Sequence, residues 1–333
     1  MKQQVRDLTM SNQLHELFAD FLKKVHPETE QENISEETMK QCFDEFIELY
    51  GNEFLKNLYK GMYESVAEHR LWADEFTINL EKKWFRAFIA CDALSVITDE
   101  ILNDYIKQYE STPMPYRFVA LKYITGRACQ VYREIVCLAR HGFADGAFAR
   151  WRTLYELAVI SSFIYKYGDE IAKSYYDAKN SDCGYHDWAI SASCFAKRKA
   201  NSHITFADIE QKTPLNTLPW IKQHKLSHKI VHAAPQGTFS RIGSQHSEER
   251  ILTGVSDYGL NIPLNNAVIS FVQICVTFLN LNVTSRNIFW IIAITDWIQI
   301  VEKEVYQCAY EIFGNEYKQA YEETKNLDFL TSE

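Results

Sequence analysis

A chain of 333 residues, 47% hydrophobic and 14% aromatic with 12 Gly and 7 Pro, is long enough to bury a large core in one domain or two. These proportions exclude disorder, collagen-like repeats and low-complexity linkers. A formal charge of −9 excludes a surface coated uniformly in basic charge for nucleic acid, and leaves room for a local basic site.

The N-terminus, MKQQVRDLTMSNQLHEL, has no apolar stretch of signal-peptide length, and the 8 cysteines are scattered with no C-x-x-C pair. A cytoplasmic protein with free thiols is expected, without a zinc-ribbon or thioredoxin-type site. Apolar residues recur at three and four rather than two. Phe43, Phe46, Ile47, Tyr50, Phe54, Leu55 and Leu58 form one stripe, Leu121, Thr125, Ala128, Tyr132, Ile135 and Ala139 another, and Val268, Phe271, Val272, Cys275, Phe278 and Leu279 a third. That spacing places each set on one helix face and predicts an all-α, multi-helix bundle.

An acidic helical region opens the chain, with Glu32, Glu36, Glu37, Asp44, Glu45 and Glu48 against Lys40. Pro113 and Pro115 forbid continuous helix and suggest a boundary, giving an acidic N-terminal region over 1–112 and a helical core domain over 116–333. A central buried hairpin follows: Tyr116 to Arg140, a turn at His141–Gly142, then Ala144 to about Tyr167. Gly142 suits a helix C-cap and Asp145 the next helix's first turn. Breaks are expected from Thr213 to Trp220 and from Ala233 to Pro263, the second long enough to suggest a function. The apolar tract from Asn266 to Val301 is interrupted by Gln273, Asn280, Asn282, Arg286, Asn287 and Asp296, so core helices are expected rather than a membrane hairpin.

Between Tyr116 and Arg152 stand Arg117, Lys122, Arg127, Arg133, Arg140, Arg150 and Arg152 against Glu134 and Asp145. Arg133 and Arg140 share a helix face, which suits a phosphate-bearing ligand such as RNA or a nucleotide. The competing reading pairs these arginines with the acidic N-terminal region. In the next helix Arg152 and Glu156 lie one turn apart among apolar neighbours on every side, which predicts a buried ion pair whose loss costs about 3 kcal/mol or more. Half of the 10 histidines fall between Asn201 and Arg250. Of these, His228 and His232 are four apart, but Lys229 stands where the zinc helix carries Glu, so no metal is expected. Arg198-x4-His203 and Arg241-x4-His246 fit the R-x4–6-H signature of the all-α HEPN ribonucleases. About one such match arises by chance in a chain of this composition, so the two carry no weight. The dipeptide His186–Asp187 is likewise too common to indicate an HD phosphohydrolase.

The stretch Leu138-Ala-Arg-His-Gly142-Phe-Ala-Asp-Gly146-Ala-Phe-Ala-Arg-Trp-Arg152-Thr-Leu-Tyr-Glu156 resembles the hallmark turn of the bacterial domain-of-unknown-function 5677 family, G-x3-G-A then R-[ST]-L-x-E. Ser227 with Val231–His232 and Gly237-Thr238 resemble its second motif, S-x3-V-H followed by G-T. Tyr185-His-Asp-Trp188 is similar to its Y-G-W segment, with His186–Asp187 in place of the usual Gly. The resemblance spans roughly Tyr116 to Trp297 and implies an intracellular helical protein with Arg152, Glu156 and His232 as its polar core. It implies no reaction, and the cofactor is left unknown.

Two expectations follow. In one, Arg152, Glu156 and His232 form the catalytic or binding centre of an effector, with Arg133, Arg140, Ser227 and His228 contacting RNA or a nucleotide; a toxin or phage-defence role, nuclease included, is fold-level analogy. In the other, the Arg-Glu-His cluster only fixes the packing of a non-catalytic interaction protein. A homo-oligomer is considered as partner; a membrane is not.

Overall fold

The computed structural model describes residues 9–25, 35–109, 115–180, 184–199, 202–217, 223–224, 227, 235–239, 241–243 and 253–329. Among them every regular element is helical: α1 (Thr9–Val25), α2 (Glu36–Lys107), α3 (Tyr116–Arg140), α4 (Ala144–Tyr167), α5 (Asp169–Asp177), α6 (Phe206–Glu210), α7 (Pro235–Phe239), α8 (Asn261–Leu279), α9 (Ser285–Phe313) and α10 (Asn315–Phe329), with short 3-10 turns between α5 and α7. The expected all-α bundle is what the chain forms.

Contacts divide the chain into two units, 1–76 and 77–333, and the division falls inside α2 rather than at the proline pair. Nothing in the sequence stops α2 before Lys107: its 72 residues contain no proline. Ser35 starts it, accepting the Thr38 amide at 3.2 Å, and Glu36 and Glu37 follow in the first turn where the dipole favours acids.

In the first unit α1 packs on the beginning of α2. Phe21, Leu22, Cys42 and Phe46 are buried, and Phe18 and Tyr50 close over them with Phe18–Phe46 and Phe46–Tyr50 ring centroids at 5.2 and 5.4 Å. Only part of the expected stripe is covered here, since Phe43, Ile47 and Leu55 stay exposed.

In the second unit α3 and α4 form the expected hairpin, with α8 packed against both and α9 against α8. Gly142 makes the turn at φ 79°, donating to Ala139 O at 2.9 Å. Trp84, Phe88, Tyr132, Trp151, Phe163 and Phe278 are fully enclosed. Two of them bond through their polar ends: Tyr132 Oη donates to Cys91 O at 3.1 Å and Trp151 Nε1 to Ser270 Oγ at 2.9 Å. Among the described residues α8 alone is long and apolar enough to cross a membrane, and 72% of its apolar window is buried inside this unit.

Asp145 does more than favour the α4 dipole. Its carboxylate accepts the Ile242 and Gly243 amides at 3.0 and 3.3 Å, while the Ser256 amide donates to Gly142 O at 2.9 Å. Parts of the long connection before α8 are thereby tied to the hairpin turn.

Candidate functional site

Arg133 and Arg140 are both engaged by acids of α2. Arg133 pairs with Asp99 and donates through Nε to Ser95 Oγ at 2.9 Å; Arg140 reaches Asp92 at 2.7 Å and Glu81 at 2.9 Å across the Phe88 ring. A step of seven residues forward on α3 meets a step of seven back on α2, as two antiparallel helices require. The acids that answer Arg133 and Arg140 are therefore Glu81, Asp92 and Asp99, within the N-terminal region of 1–112. Arg150 pairs with Glu134, Arg127 donates to Gln130 at 2.6 Å and Arg117 to the Tyr165 carbonyl at 3.3 Å. The other polar matches are also occupied. Arg198 forks onto Asp208 and the exposed His203 sits 3.0 Å from Asp187, so neither completes a ribonuclease pair. His246 lies outside the described residues.

Arg152 and Glu156 form the expected i,i+4 pair, Nε to Oε1 at 3.0 Å, but it is not fully buried: the side chains keep 23% and 33% of their exposure. The face of α4 carrying them turns away from α3 and α8, and apolar neighbours on every side did not reveal that opening.

One turn of α4 gathers a second group that the sequence pattern did not single out. Tyr155, fully buried, donates through its hydroxyl to Glu210 Oε1 at 2.7 Å. The same oxygen lies 3.5 Å from His224 Nδ1, and the His224 ring stacks on Tyr155 at 4.2 Å between centroids with Phe206 at 5.5 Å. Burial, with the Glu210 carboxylate adding to it, pushes the Tyr155 phenol far above its ordinary range, so it remains a proton donor. Ser227 is buried and its hydroxyl donates to His224 O at 2.7 Å, one helical turn back, so it steadies the backbone there. His228 and His232 lie outside the described residues.

His186, of the segment where the chain departs from the family's glycine, stands half-buried 6.0 Å from the Phe206 ring. Burial lowers its pKa, opposed by the charges of Glu156 and Asp187, so the ring is neutral near pH 7. Its neighbour Asp187 accepts the Ile204 amide at 2.9 Å and is held below the usual carboxylate range by that bond and by His203.

The arrangement thus has a buried trio of phenol, carboxylate and imidazole next to a partly open guanidinium, carboxylate and imidazole. Among the described residues no group of three or more His, Cys, Asp or Glu side chains stands ready to hold a metal ion. The helix α6 that supplies Glu210 is only five residues long and is fixed by a capping box, Thr205 with Asp208. That T-x-x-D pattern was the one sequence signal pointing to a helix carrying Glu210.

Residues 118–210 match the model of a family of unknown function (DUF5677). The matched segment runs from the start of α3 to the end of α6 and contains Arg152, Tyr155, Glu156, His186 and Glu210. The resemblance expected from the Arg152–Glu156 turn holds there, while the Ser227–His232 motif lies beyond the matched residues. No curated protein and no solved structure matches the chain.

Proposed function

We propose that the protein is an effector that binds a phosphate-bearing ligand, RNA or a nucleotide, at the Arg152–Glu156 turn and acts on it with an imidazole from the 224–232 segment. The observation that carries this reading is the convergence of one guanidinium, two carboxylates, two imidazoles and a phenol around one turn of α4, with Arg152, Glu156 and His186 partly open to solvent. A helix needs no such gathering to pack, because every polar group taken from water costs free energy until it is paired. Arg152, oriented by Glu156, offers the planar fork of donors that matches phosphate oxygens. A neutral imidazole then takes a proton from the attacking group. A role in toxicity or phage defence rests on fold-level analogy.

Native mass spectrometry of the purified protein, followed by calorimetric titration with ATP, GTP and a short single-stranded RNA, tests the ligand. Micromolar binding, weakened about tenfold or more by Arg152→Ala, is expected. No co-purifying nucleotide or RNA and no heat with all three probes overturns the reading. His224→Gln and His232→Gln, made side by side, identify the proton carrier: that variant folds normally and loses about 10²-fold or more of the activity.

A second reading is favoured by the burial of the trio. Tyr155 donates to Glu210, and the same carboxylate lies 3.5 Å from His224, as it would in a non-catalytic protein where the cluster only pins α6 and His224 to α4. Destabilised but fully active His224→Gln and His232→Gln variants would favour it.

A further inference from the structure

Along α2 within the second unit runs a stripe that none of that unit's described residues covers. Phe85, Ile89 and Val96 are 54%, 48% and 58% exposed. Their spacings of four and seven residues keep them on one line of the helix. Beside them α9 lies antiparallel to α2, fixed by Arg86–Glu304 at 3.2 Å, Trp297 Nε1 to Ala90 O at 2.9 Å and Arg286–Asp104 at 2.9 Å. Between the two helices is an open groove of about 490 Å³ that Phe289 helps to line. Phe289, Ile292 and Ile300 on α9 are 63%, 54% and 43% exposed and widen the face beyond the groove.

Six large apolar side chains at about half exposure present on the order of 500 Å² of apolar surface, near the top of what an ordinary monomer leaves in one patch. A standard interface takes about 800 Å² from each partner, a little over half of it apolar. The face therefore offers about what one side of a stable interface requires.

The charges on the stripe say which partner fits. Lys82 and Glu100 are eighteen residues apart, five full helical turns, and so flank the apolar stripe on the same side. Both are exposed, and neither has an ion-pair partner among the described residues. They stand nine residues either side of position 91, and Phe85 and Val96 are centred within half a residue of the same point. A two-fold axis running beside α2 at that level, perpendicular to the helix, sets Lys82 of one copy opposite Glu100 of the other, and Phe85 opposite Val96, twice over. We infer that the α2–α9 face is a homodimer interface, with two copies of α2 packed antiparallel about position 91. A self-complementary order of apolar and charged residues is what an isologous contact demands of a single surface.

Sedimentation velocity of the full chain at about 50 µM, well above the Kd of a standard-sized interface, is expected to show a dimer. Val96→Glu and Phe289→Glu change exposed residues, so circular dichroism should show the parental helix content while each variant sediments as a monomer. The decisive set is the charge exchange. Lys82→Glu and Glu100→Lys each set like charges opposite one another at both symmetric contacts and should raise the Kd about tenfold, whereas the double exchange should return it to within about threefold of the parent. A monomeric parent at that concentration, a dimer that survives Val96→Glu and Phe289→Glu, or a double exchange no tighter than the singles overturns the inference.

Discussion

Arg152 and Tyr155 lie three residues apart on α4 and differ in what surrounds them, which sets what their loss costs. Arg152 and its partner Glu156 keep 23% and 33% side-chain exposure, so water still reaches both ends of the pair. The 3 kcal/mol or more expected of a fully buried pair therefore falls to about 1 kcal/mol for Arg152→Ala. Tyr155→Phe removes a hydroxyl that donates at 2.7 Å to a carboxylate only 13% exposed, and should cost about 2 kcal/mol. Urea denaturation of both variants tests the order; a costlier Arg152→Ala would show that its environment outweighs its exposure. Another expectation at this scale concerns acid. The Arg198 guanidinium, aided by the Thr205 amide and hydroxyl, holds the Asp208 carboxyl down to about 2. The unfolded chain therefore binds more protons between about pH 4 and the folded value, so stability present above that window is lost as the pH falls through it. Arg198→Ala should flatten this part of the stability–pH curve, measured by denaturant midpoints at each pH. Of the candidate site, the Arg152–Glu156 pair was legible because its members are one turn apart. Glu210 and His224 were not, because only tertiary packing brings them onto Tyr155.

Elements were legible to the degree that local chemistry decides them. The α3–α4 hairpin matches its expected limits because a glycine at positive φ stops one helix and unbroken periodicity carries the next. The acids facing α3 could be assigned only to the N-terminal region as a whole, because pairing register across helices is not written in either helix alone. The connection before α8 shows a third case, in which one backbone position is dictated by a neighbour far away. Gly259 has φ +75°, and a Cβ there would stand 2.0 Å from the Ile242 carbonyl oxygen. That oxygen belongs to the turn whose amides Asp145 holds, so it has little freedom to retreat. Gly259→Ala should cost about 3 kcal/mol, combining left-handed strain with the collision, and lower the melting temperature accordingly. An unchanged melting temperature would mean that the turn at 241–243 yields freely.

For the whole molecule, where independent folding begins along α2 is the open question. The proline pair suggested a division near 112, whereas contacts divide the chain at Phe76. The physical reason is that the second half of α2 belongs to the larger core. Leu80, Trp84, Phe88 and Leu94 are buried there at 1% exposure or less, and Glu81, Asp92 and Asp99 answer Arg140 and Arg133. Removing 1–76 leaves that core whole, so a fragment spanning 77–333 should unfold cooperatively with near-ultraviolet dichroism like that of the parent. Removing 1–112 strips these four large apolar side chains, with Ile101, Leu102 and Tyr105, from the interior, each contributing about 1.5–3 kcal/mol on burial, and leaves two arginines without their acids. That loss is comparable with the 5–15 kcal/mol by which native domains are stable. The fragment beginning at Tyr116 should therefore express as aggregate or lack a cooperative transition. Thermal melts of the two truncations decide between the boundaries: a cooperative 116–333 fragment as stable as 77–333 would show that α2 is dispensable and restore the division at the prolines.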